Sequence, residues 1–93
     1  METVYIVEKL ITNEAFEQYD HGIVFVTNDI TFANNKIKTL IAEEIDAFNT
    51  NNDAVGNPET CEILNDTSYV INHNYGGNSQ TLIEYEITKW KML

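Results

Sequence analysis

The chain has 93 residues, enough for one domain, and its 43% hydrophobic content suffices for a core and excludes general disorder. Fifteen acids stand against five lysines and no arginine, for a net charge of -10 and a pI near 4.3; such a field repels polyanions and lacks the bidentate clamp for phosphate, which argues against direct binding to nucleic acid. A lone cysteine, Cys61, excludes an internal disulfide, and no stretch approaches about 18 consecutive apolar residues, so a cytoplasmic protein with no membrane span is expected.

Residues 4–11, VYIVEKLI, give the first strand signal, β-branched and aromatic with charge only at Glu8 and Lys9. Val4 and Ile6 face one way, Tyr5 and Val7 the other. Both faces are apolar at the start, which predicts a strand interior to a sheet or set in an interface. Residues 12–22, TNEAFEQYDHG, lack a period of two and read as a solvated loop. Within them Asn13 is a candidate cap for one helical turn, with Phe16 and Tyr19 as anchors and Glu14, Glu17 and Asp20 pointing outward. Residues 22–27, GIVFVT, carry the strongest strand signal and are expected to pair with the first strand as an antiparallel hairpin with a long loop.

Asn28 and Asp29 break that strand, and Asp29 or Thr31 is the expected helix cap. The helix that follows, residues 33–49, has the longest helical period in the chain. Ile37, Leu40, Ile41, Ile45 and Phe48 fall on one side, and Lys36, Thr39, Glu43, Asp46 and Asn49 fall away from it. A start near Ala33 is expected, because a helix beginning at Ile30 would turn Phe32 to solvent. Lysines come early and Glu43, Glu44 and Asp46 late, an order that opposes the helix dipole.

Residues 49–59 form a loop with the only proline, Pro58. Residues 60–64, TCEIL, read as an edge strand or a turn. Residues 68–75 alternate, with Tyr69, Ile71, His73 and Tyr75 on one face and Val70, Asn72 and Asn74 on the other. A GGNS hairpin turn at 76–79 leads to a return strand over 81–90, where Ile83, Tyr85 and Ile87 oppose Glu84, Glu86 and Thr88. Trp90 shares the side of Glu84 by parity, so it sits beyond a bulge, in solvent or in an interface. The order predicts an α+β domain over residues 1–93: an antiparallel sheet of about four strands with one amphipathic helix on one face, in ββαββ order.

No stretch carries a reactive motif. Asp20, His21 and His73 are conceivable metal ligands without metal-binding spacing. Cys61 beside Glu62 has a neighbour that raises a thiol's pKa, the wrong direction for a nucleophile, and a small buried cysteine is expected instead. Glu84 with Glu86, and Glu43 with Glu44, are carboxylate pairs without the differing environments that acid–base catalysis needs. Gly76-Gly77 is a turn and not a phosphate loop, so neither an enzyme nor a cofactor is expected. Tyr69, Tyr75, Tyr85 and Trp90 cover the helix or a sheet edge, or form a recognition surface.

The opening VYIVEK, the single helix and the closing YEITKW resemble small proteins of Gram-positive phages and mobile elements. Size, acidity, missing motif and residues with AT-rich codons look like phage inhibitors of host defence, anti-CRISPR proteins above all. The resemblance lies in style over the whole chain and carries over no functional residue. It implies a non-enzymatic inhibitor that offers an acidic, DNA-mimicking surface to a host protein with a basic nucleic-acid-binding surface. Glu14, Glu17, Asp20, Glu43, Glu44, Asp46, Tyr75, Glu84, Glu86 and Trp90 are the expected contact residues. The rival readings are a homodimer that sequesters a nucleotide signal, using Lys36, Lys38, Lys89 and Lys91, and a small accessory subunit of a bacterial complex.

Overall fold

The structure is a computed structural model and describes residues 2–15, 17–52, 59–73 and 79–92. Five strands and one helix follow in the order β1 (Glu2–Asn13), β2 (Gln18–Thr27), α1 (Ile30–Asn52), β3 (Thr60–Asn65), β4 (Ser68–His73) and β5 (Ser79–Met92). The strands make one sheet in the order β2-β1-β5-β4-β3, antiparallel throughout. The molecule is therefore α+β, as expected, with five strands where about four were expected, since residues 60–64 settle as an edge strand.

The helix start shows a local signal beating a side-chain argument. Asp29 Oδ1 accepts from the backbone N–H of Thr31 at 2.9 Å and of Phe32 at 3.1 Å, and Ala33 N–H donates to the Asp29 carbonyl at 3.0 Å. Two orphan donors of the first turn are thus satisfied by one carboxylate, which places the start at Ile30 and not near Ala33. Phe32 does face outward, but its ring meets Phe25 of β2 edge-to-face, centroids 6.0 Å apart.

The expected loop over 12–22 is mostly strand. β1 runs on to Asn13 and β2 begins at Gln18, joined by a tight turn in which Glu17 N–H donates to the Glu14 carbonyl and Glu17 adopts a φ of 51°. The polar composition there hid the strand, because an edge strand has little burial to advertise. One extra residue in β2, at Val24, forms a bulge opposite Val7 and Glu8 and reverses the parity of β2 on either side of it.

α1 crosses one face of the sheet and buries Ala33, Ile37 and Ile41 against Val7, Tyr69, Ile83 and Tyr85, with Leu40 and Ile45 packed alongside. These are the odd-numbered positions of β1, β4 and β5, so strict alternation sends the even-numbered positions to the opposite side. The molecule is only 17 Å across its thinnest dimension, room for one sheet and one helix layer. Among the described residues no helix lies on the second face, although Ser68 and Val70 on it are buried.

Candidate functional site

The register sorts the charges as well as the apolar groups. On the helix-free face Glu8 lies opposite Glu86, Leu10 opposite Glu84 and Glu62 opposite Val70, and Glu2 ends the same row. The lysines of the strands, Lys9, Lys89 and Lys91, all take the odd positions, with Lys9 opposite Tyr85 and Lys89 opposite Tyr5. Lys36 and Lys38 are exposed on α1. The helix-free face therefore carries Glu2, Glu8, Glu62, Glu84 and Glu86 without a lysine. His21 is its only imidazole among the described residues, with Nε2 against Glu8 Oε2.

Apolar side chains interleave with these acids. Val4 lies opposite Trp90, and Ile6 lies opposite Val26 on one side and Thr88 on the other. Trp90 is 56% exposed on the side of Glu84 and Glu86, and the β1–β5 register is unbroken, so the parity expectation resolves in favour of exposure without a bulge. At the far end of the same face the sheet curls into an open concavity of about 810 Å³, lined by Thr12, Val70, Asn72, Gln80 and Leu82, with Glu14 and Glu62 among its walls.

The remaining expected contact residues lie elsewhere. Glu17 is exposed in the β1–β2 turn, and Asp20, beyond the bulge, sits opposite Ile11 on the helix side. Glu43 and Asp46 are exposed on α1. Tyr75 lies outside the described residues. Glu44 turns inward and is partly buried. Its Oε1 accepts from Tyr85 OH at 2.7 Å and from Lys9 Nζ, and its Oε2 accepts from Tyr69 OH at 3.1 Å. Lys9 Nζ also lies 5.6 Å from the centre of the Tyr85 ring. This cluster ties α1 to β1, β4 and β5 with charge-assisted bonds. It also leaves a chemical mark: burial first, then the Glu44 carboxylate, push the Tyr69 phenol upward, while burial and the hydrogen bond to Glu44 do the same for Tyr85. The sequence could not single out Glu44 from Glu43, since helical phase alone decides which of the two neighbours points down.

Cys61 is partly buried, and its thiol is pushed up by burial and then by Glu44. The direction matches the expectation, but the carboxylate responsible is Glu44 and not the adjacent Glu62, which alternates to the other face. His21, Cys61 and His73 do not meet: His21 is on the edge strand β2, Cys61 on the opposite edge strand β3. His73 lies on the helix side, with Nδ1 3.0 Å from Glu59 Oε2 and Nε2 2.8 Å from Thr81 Oγ1. The buried Asn13 donates Nδ2 to that same Thr81 oxygen at 2.9 Å. No local pattern signals this carboxylate–imidazole–hydroxyl chain, whose members are Glu59 just before β3, His73 of β4 and Thr81 of β5. Thr81 Oγ1 accepts from the buried Asn13 as well as meeting His73, so polar groups at this end of the core are paired with one another.

No protein-family model, curated protein or solved structure matches this chain.

Proposed function

We propose that the protein is a non-enzymatic, phage-encoded inhibitor that binds a host nucleic-acid-handling defence protein, such as a CRISPR effector, through a DNA-mimicking surface, and that this surface is the helix-free face of the sheet. The observation that carries the reading is the sorting of charge between the two sides: Glu2, Glu8, Glu62, Glu84 and Glu86 on one, Lys9, Lys89 and Lys91 on the other. Glu84 and Glu86, about 7 Å apart along β5, and Glu8, about 5 Å across from Glu86, form a compact anionic cluster, with Glu2 and Glu62 farther out on the same face. A basic groove evolved for phosphates meets such a cluster with favourable long-range steering. Val4, Ile6, Val26 and Trp90 add the desolvated contact area that charge alone does not supply. The rival nucleotide sponge finds less support, because carboxylates line the concavity while Lys89 and Lys91 belong to the other face.

The test is expression of the chain in a low-GC Gram-positive host with active CRISPR immunity, scored by phage plating. The expected outcome is restored plating with the native chain and loss of that effect with Glu84→Lys/Glu86→Lys. Plating that stays suppressed in hosts carrying each of several nucleic-acid-targeting defences would overturn the reading.

A further inference from the structure

We infer that β2 is the seam of a homodimer, its free edge pairing antiparallel with the β2 of a second copy to make one continuous sheet. The two edges of the sheet differ in how they are guarded. β3 is six residues long, carries Glu62 and is irregular between Ile63 and Asn65. β2 is ten residues long and has neither lysine nor proline, the usual protections of an exposed edge. Its bulge at Val24 guards only its own position, because residues 18–23 keep an unbroken register with β1. The outward row of backbone donors and acceptors over those residues has no neighbouring strand among the described residues.

Exposed apolar groups gather on this edge. Tyr19, Ile23, Val24 and Val26 are 67%, 65%, 41% and 55% exposed, and on the helix side of the same strand Phe25 meets the half-exposed Phe32 of α1. Charge selects the occupant. Between Gln18 and Thr27 the only acid is Asp20, in a chain that carries fifteen. A cationic partner finds little to pair with here. A second copy, repelled by a net charge of -10 everywhere else, meets the least repulsion at this strand.

Charge also selects the register. Directly opposed residues in an antiparallel ladder share a face, so neighbouring registers over 18–23 differ by two residues in their pairing sum. One sets Asp20 against its own copy. The next sets His21 against its copy, Asp20 against Gly22 and Tyr19 against Ile23, and avoids the like-charge pair. The two-fold axis of such a seam is normal to the sheet, so both helices lie on one side and both helix-free faces on the other. Leu10 and its copy then stand three strand spacings apart, about 14 Å, Glu8 and its copy, offset along the strands to either side of the axis, stand about 19 Å apart, and the acidic surface is doubled.

The test uses the purified chain alone, so its failure leaves the inhibitor reading standing and the failure of that reading leaves the seam standing. Light scattering after size exclusion should give twice 10.7 kDa at high concentration, with tighter association at 1 M salt, where like-charge repulsion is screened. Ile23→Lys should weaken the dimer by about tenfold or more by putting a charge on the seam. It lowers the net negative charge, so a dimer governed by overall repulsion alone would tighten instead. Opposed backbones about 4.5–5.5 Å apart lie within disulfide reach, so Cys61→Ser/His21→Cys should crosslink under mild oxidation while Cys61→Ser/Glu62→Cys should not. Circular dichroism checks that each variant is folded, and the crosslink decides if Ile23→Lys is not. A monomer up to about 1 mM, weaker than the weakest common interfaces, a dimer indifferent to Ile23→Lys, or crosslinking through position 62 and not 21 would overturn the seam.

Discussion

The two faces of the sheet are drawn from the same strands, alternate residues going to opposite sides, yet they end in different chemistry. On the helix side Val7, Tyr69, Ile83 and Tyr85 are sealed by Ile37 and Ile41, and Glu44, which enters there, is met by two phenols and a lysine. On the other side Glu8 lies opposite Glu86, with Ile6, Val26 and Trp90 nearby and among the described residues no lysine to balance them. The lesson is that the one lysine among the described residues bonded at this core, Lys9, comes with its carboxylate, while the acids of the open face stand without a lysine. A covered face tolerates charge only when it is paired. An uncovered face tolerates like charges because water screens them.

That contrast can be broken by substitution, and the largest effect is expected in the sealed face. Ile37→Ala should cost about 2–5 kcal/mol, because the side chain is fully buried and leaves a cavity between helix and sheet. Ile23→Ala, 65% exposed, should stay within about 0.5 kcal/mol in the same urea titration. Equal losses at the two positions would mean that the second face is also packed.

Glu44→Ala should come next, at about 1–3 kcal/mol, since it strands the hydroxyls of Tyr69 and Tyr85 beside an unpaired Lys9. Glu86→Ala, on the open face, should be close to neutral or slightly stabilising through relief of its opposition to Glu8. Asp29→Ala should cost about 1 kcal/mol by removing the cap of α1, read as an earlier urea midpoint and a loss of helical signal at low denaturant.

The smallest effect at neutral pH grows at high pH. Tyr69 and Tyr85 titrate higher in the folded chain than a free phenol does, so above a pH of about 10 the unfolded chain releases protons that the folded chain keeps. Stability from these groups is complete below that pH and declines as pH rises beyond it. Urea midpoints between pH 8 and 11 should show that decline, and Tyr85→Phe should flatten it. A flat native profile would mean that the phenols are not held against Glu44.

The sealed face was largely legible in the sequence. The helical stripe of Ile37 and Ile41 and the odd positions of β5, Ile83 and Tyr85, are strong signals because burial imposes a period. Parity also placed Trp90 beside Glu84 and Glu86, which the unbroken β1–β5 register bears out. The edges were harder to read. β2 before Gly22 is polar and was expected as a loop, and only pairing with β1 makes it a strand. Grouping Glu8, Glu62, Glu84 and Glu86 on one face requires the register of four strands, which no local pattern supplies. The inward turn of Glu44 depends on helical phase against the sheet, and the meeting of Glu59, His73 and Thr81 depends on long-range closure.

The most direct test of the account compares two charge reversals in capture of the host target over a salt titration. Glu84→Lys/Glu86→Lys changes the open face of the sheet, and Glu43→Lys/Asp46→Lys makes the same change on the exposed side of α1. The account predicts binding that weakens steeply with salt and a loss of about tenfold or more for the first pair, with the second pair close to the native chain. Equal losses for both pairs, or salt-independent capture, would contradict it.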